Sequence, residues 1–215
     1  YENNLRGIAS EKINNIYEVD IQIRDAYPDL NIEYLIEKPT LISNNNSFES
    51  IIFRGVSSGY NLQKLNKFIT NSKISDKLSN NEIIISGLIA DKLDIVQGDD
   101  ITLYFKTSNN QRIPNVRSYF VKHIFESDFP DFDNNYLIGN AQSLQSIFKW
   151  GSNDYSIIEI SSNNKAKIFD IESSIRGLRS IEKNNLSVKS ITTKYENIFS
   201  WVSIFDFNII VITVL

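Results

Sequence analysis

Residues 82–105 read EIIISGLIADKLDIVQGDDITLYF, and three kinds of local structure follow one another within them. Ile83–Ile85 is a short, unbroken β-branched run, as expected of a buried strand. Leu88–Leu93 carries apolar residues at helical spacing and predicts one or two turns of helix. Gly98 supplies the permissive backbone of a tight turn, which Asp99 and Asp100 keep solvated. Ile101, Leu103 and Phe105 then alternate into a further strand.

Upstream, Leu5, Ile8, Ile13 and Ile16 share one helical face, so a helix is expected over 1–17. Val19, Ile21 and Ile23 alternate with Asp20, Gln22 and Arg24, the period of a half-buried strand that Pro28 ends. Two further strands are expected at Ile32–Ile42 and Phe48–Val56, around the turn at Asn44–Asn46. Leu62, Leu65, Phe68 and Ile69 give a short helix.

Downstream, the polar segment Lys106–Ser118 leads into a strand at Tyr119–Phe125. Tyr136–Ile138 reads as a strand, with a helix following through Leu144, Ile147 and Phe148. The last third repeats that logic: a strand at Ile157–Ile160, a helix face of Ile168, Ile171, Ile175 and Leu178, and a strand through Val188 and Ile191. The class is therefore α+β. One lobe is expected from both ends of the chain, residues 1–55 and 151–205, with a strand-rich lobe inserted at 56–150.

The segment from Tyr195 onward ends the chain in apolar residues. From Ile209 to Leu215 only Thr213 is not aliphatic. A spanning helix needs roughly 20 apolar residues, so this run alone does not cross a bilayer. Tyr195, Phe199, Trp201, Phe205 and Phe207 precede it, where an aromatic belt lies at a membrane surface. Residues 206–215 are expected to begin a transmembrane helix. The chain has no methionine, and it is expected to be a piece of a longer protein.

Composition excludes several function classes. A net charge of -4 argues against nucleic-acid binding, which needs a concentrated basic face. Without cysteine there is no disulfide, no thiolate catalysis and no cysteine-ligated metal. His123 is the single histidine, so no histidine metal cluster can be assembled, and its apolar strand predicts a structural role. Asp131, Asp133 and Asn135 copy the first three ligands of a calcium loop. Tyr136 then stands where that loop needs glycine, and Gln142 where it needs a bidentate glutamate. A solvated turn is expected there, and no catalytic, cofactor-binding or metal residues are assigned. Tyr119, Phe129, Phe132 and Trp150 are weighed as exposed aromatics marking a partner surface, against the general rule that most aromatics are core.

Three stretches together resemble the extracytoplasmic, periplasmic domain of a MacB/LolC/FtsX-like ABC transporter permease, closest to the lipoprotein-releasing system permeases. Tyr1, Glu2, Leu5 and Arg6 match the end of the segment that leaves the first membrane helix in that family. Ile89, Ala90, Leu93, Ile95, Gly98 and Asp99 match its strand, Leu-Ala-x-x-Leu-x-hydrophobic, Gly-Asp pattern. Asp133, Ala141, Gln142 and Leu144 match the acidic loop and the helix after it.

The resemblance implies a two-lobed, non-catalytic domain held between two membrane helices in the bacterial inner membrane. Such a domain passes ATP-driven movement to the periplasm for lipoprotein release or efflux. It implies as partners an ABC ATPase subunit or domain, a second permease in a homo- or heterodimer, and a periplasmic carrier or lipoprotein cargo. In carrier-capturing members the loop before the strand at Tyr119 is a longer apolar hook, whereas here Lys106–Ser118 is shorter and polar. Arg112, Ile113, Pro114 and Arg117 in that loop are the expected partner contacts. The alternative is a soluble extracellular binding or adhesion module with a buried C-terminal helix.

Overall fold

The computed structural model describes residues 12–13, 16–45, 47–69, 73–74, 77–107, 113–161 and 168–190. They form two compact units, one of Tyr1–Ile16 with Ile32–Ile160, the other of Tyr17–Asn31 with Ser161–Leu215. Each unit draws on two segments of the chain, and residues 32–160 stay together in one of them. The physical reason is the hairpin of β1 (Asn31–Asn44) and β2 (Ser47–Val56), paired from Leu35↔Val56 to Asn44↔Ser47. That long ladder commits both strands to the same sheet as everything between 82 and 140.

The sheet contains β3 (Glu82–Ser86), β4 (Asp100–Phe105), β5 (Asn115–Phe125), β6 (Tyr136–Asn140) and β7 (Ile157–Ser161) in addition to the hairpin. Its order is β2-β6-β3-β5-β4-β1-β7, and β1 also pairs with β2. Six strands therefore close a ring of pairings, and β7 is added to β1 outside that ring. β2–β6 and β3–β5 run parallel, while β1–β2, β1–β4, β3–β6 and β4–β5 are antiparallel. A parallel pair needs a long crossover, which between β3 and β5 is supplied by α2 (Gly87–Leu93) and β4.

The stretch 82–105 folds as its sequence reads. Ser86 caps α2, its Oγ accepting from the Ile89 amide at 3.2 Å. Gly98 takes a φ of 103° at the turn into β4. The principal core joins inward side chains of all six ring strands, among them Ile42, Phe53, Ile83, Leu103, Tyr119 and Leu137, to α2 and α4 (Ala141–Phe148). A second cluster on the opposite face packs Leu35, Val56, Ile84, Phe125 and Ile138 beneath the 3₁₀ segment Leu62–Phe68. β3 and β6 serve both clusters, which is why EIIIS and YLIGN read as continuous runs rather than alternations.

In the other unit, α1 (Ile16–Ala26) replaces the strand expected at Val19–Ile23. Val19 and Ile23 are buried four residues apart, while Ile21 between them is exposed. The two-residue alternation was a coincidence within a helical i, i+4 pattern. This unit also holds α5 (Ile168–Arg176) and α6 (Arg179–Lys183), with Ile175 and Ile181 buried. The Gln22 side chain accepts from the Ser180 amide at 3.1 Å, and Lys183 pairs with Glu18 at 3.1 Å. No strand forms at the described residues 186–190. The helix expected over 1–17 lies largely outside the described residues, as does the apolar segment from Tyr195 to Leu215. Among the described residues no helix is long and apolar enough to cross a membrane.

Candidate partner-binding surface

Antiparallel register puts directly paired residues on one face of a sheet. Across β2, β1, β4 and β5 this builds a row Ser50–Leu41–Tyr104–Val116 and, beside it, a row Phe48–Ser43–Thr102–Ser118. None of the eight carries a charge. Leu41 is 46% exposed, Phe48 58% and Val116 45%, and the Phe48 and Tyr104 rings lie 6.1 Å apart. An aromatic and aliphatic patch framed by hydroxyls, with no ion to desolvate, is the composition found at the centre of protein interfaces.

The β4–β5 connection borders this platform. Phe105 pairs with Asn115, so Asn115–Ser118, expected in a loop, belong to β5, and the connection is shortened to 106–114. Ile113 is 76% exposed at its end, and Pro114 and Arg117 are exposed as well. Arg117 turns back to donate to the Val116 carbonyl at 2.9 Å. Arg112 lies outside the described residues, as do Tyr195, Phe199, Trp201, Phe205 and Phe207. Leu41, Phe48, Tyr104 and Val116 had escaped the sequence reading. Their signal is apolar residues at the outward positions of strands whose inward positions are already apolar.

Tyr119, Phe132 and Trp150, three of the aromatics weighed as a partner surface, pack against the core clusters. Tyr119 is buried and its hydroxyl bonds Ser143; burial also raises its pKa. Phe132 stacks on Tyr136 with ring centres 4.9 Å apart. Trp150 and Phe148 share the Lys38 ammonium, 4.5 Å and 5.0 Å from their ring centres. Phe129 is half-buried at the start of α3 (Pro130–Asp133). The solvated turn expected around Asp131 is this short helix. Asp133 is buried and accepts from the Ser127 amide at 3.1 Å and from the Ser127 hydroxyl. Beside it, Asp91, Glu126 and Asp128 line a cleft of about 420 Å³. His123 is buried in β5, and burial followed by the Lys122 charge lowers its pKa.

The densest electrostatic arrangement spans β2, β1 and β7. Arg54, 12% exposed in its side chain, donates to Glu37 and, at 2.9 Å, to Glu159. Burial acts to lower the Arg54 pKa, but Glu159 and Glu37 outweigh it and the group stays firmly charged. Tyr60 beside it is pushed up to about 12 by burial and then by the Glu159 charge. Lys64 pairs with buried Glu33 at 3.1 Å. Strong coupling of this kind also occurs at active sites, but here each named carboxylate of the group is engaged by a cation.

No protein-family model matches the chain, and neither does any curated protein. Solved structures do match in fold. The periplasmic region of MacB from Actinobacillus actinomycetemcomitans aligns with 87% of this chain and 84% of its own, at 12% identity and a TM-score of 0.55. The extracellular domain of the noncanonic ABC-type transporter YknZ from Gram-positive bacteria aligns with 82% of this chain and 87% of its own, at 14% identity and a TM-score of 0.51. The chain therefore has the α+β fold of these extracytoplasmic transporter domains.

Proposed function

We propose that the chain is the extracytoplasmic domain of an ABC transporter permease of the MacB type, held in the inner membrane with this domain in the periplasm. The observation that carries the proposal is the breadth of the fold match to the MacB periplasmic region, which leaves little of either domain unpaired. The three sequence stretches that resemble that permease group, in order along the chain, support it independently.

In this reading the domain does no chemistry. ATP hydrolysed by a separate subunit or domain moves the permease, and the two compact units relay that movement to a partner or cargo outside the membrane, in lipoprotein release or in efflux. The charge-free platform of Leu41, Phe48, Tyr104 and Val116, with Ile113, Pro114 and Arg117 at its border, is the contact surface, and Arg112 is assigned to it from the sequence alone.

The test is transport in cells lacking the parent permease and complemented with variants of it. Phe48→Ser with Val116→Ser, and separately Ile113→Ser with Arg117→Glu, remove exposed side chains and are expected to shift stability by no more than about 0.5 kcal/mol. Transport is expected to fall at least tenfold at unchanged membrane levels. Full transport by both double variants would remove the platform from the mechanism.

A further inference from the structure

The six-strand ring closes without β7, so β7 can leave without opening it. Burial makes the same division. Four of five residues are buried in each of β3 and β6, whereas Ile157, Ile158, Glu159 and Ile160 are only half-buried and Ser161 is exposed. An element with little apolar burial is one that opens below the free energy of global unfolding.

The segment just before β7 is, by contrast, pinned. The Ser156 amide donates to the Leu35 carbonyl at 3.0 Å, and Ser156 Oγ accepts from the Glu37 amide at 3.2 Å. Gln145 holds the carbonyls of Ser152 and Asp154 at 3.0 Å and 3.1 Å, and the Tyr155 carbonyl accepts from Ile13 at 2.9 Å. Beyond Ser156 the ties are fewer: Ile157 packs at the edge of the second cluster, and Ser161 Oγ accepts from Asn31 Nδ2 at 3.4 Å. The Arg54–Glu159 ion pair is the charged tie from the ring to β7, reaching from β2 across β1.

We propose that β7 is a detachable strap, hinged at Ser156 and clasped to the ring by Arg54 through Glu159. Arg54 retains Glu37 when the strap opens, so unclasping exposes one carboxylate that is already 41% accessible and leaves no buried charge unpaired. The strap ends at Ser161, where the chain passes into the second unit, and its release leaves the six-strand ring intact.

The test is native-state hydrogen exchange on the 215-residue chain and its Glu159→Ala variant, alongside thermal unfolding. In the wild type, amides 157–160 are expected to exchange at least about a hundredfold faster than those of Ile83–Ile85 and Leu137–Ile138. Glu159→Ala is expected to cost 157–160 a further loss of about tenfold in protection, at unchanged protection of β3 and β6 and nearly unchanged Tm. If β7 in the wild type is protected as strongly as β3 and β6, the strap does not open locally and the proposal fails. It fails equally if Glu159→Ala leaves 157–160 unchanged, or lowers all three strands alike.

Discussion

Gly55 and Gly139 are register partners across the parallel β2–β6 pair, and a side chain on either one would meet a packed neighbour. A Cβ on Gly55 would lie 2.9 Å from the Ala141 Cα, because α4 rests directly on that strand. A Cβ on Gly139 would fall on the ring of Phe53. Gly139→Ala is therefore expected to destabilise the ring by about 1–3 kcal/mol through overpacking. Urea unfolding checks this, and adding Phe53→Leu should return part of the loss, since the two sites share one volume.

Arg54 and Glu37 form a buried pair whose side chains are 12% and 4% exposed. Removing one member leaves the other charge stranded, at about 3–5 kcal/mol. Arg54→Met is expected to show that loss in chemical denaturation. Adding Glu37→Met should recover most of it, because an apolar pair of similar volume carries no desolvation cost.

Asn140 caps α4 with its side-chain oxygen on the Gln142 amide at 2.9 Å, while its Nδ2 donates to the Leu78 carbonyl at 2.8 Å. Asn140→Ala deletes both and is expected to cost about 1–2 kcal/mol. Asn140→Asp keeps the cap and loses the Leu78 bond, so its unfolding midpoint should fall between those of the wild type and the alanine variant.

Burial and Lys122 lower the pKa of His123 in the folded chain below its ordinary 6.5, against a smaller opposing effect of Glu82. The unfolded chain then binds the proton more readily, so the stability held by the neutral imidazole is complete above about pH 6.5 and drains as pH falls further. Tm is expected to drop between pH 7.5 and pH 5.5, and to drop less in His123→Gln. An identical pH slope in the variant would assign the drop to other groups.

Elements were legible where a local pattern had a single reading. Ile83–Ile85, Leu88–Leu93, Gly98 and the alternation of Ile101, Leu103 and Phe105 all agree, and the structure follows them. Val19, Ile21 and Ile23 fit two periods at once, and burial in the tertiary fold decided for the helix. The platform was hidden because its members lie on four strands and meet only through register. Arg54 was silent for a related reason, since Glu159 stands 105 positions away.

Ring closure has a further consequence for how copies of this chain behave when crowded. Unpaired strand edges recruit other chains, and a closed ring removes them. Among the described strands, the sheet order ends on β7, whose sequence IIEIS is otherwise the β-branched, uncharged kind that stacks into fibrils. Glu159 interrupts that run at its centre, acting as a gatekeeper against intermolecular pairing. Among the described strands β7 is thus the border at which intermolecular pairing would begin, and one carboxylate on it serves both the fold and its solubility.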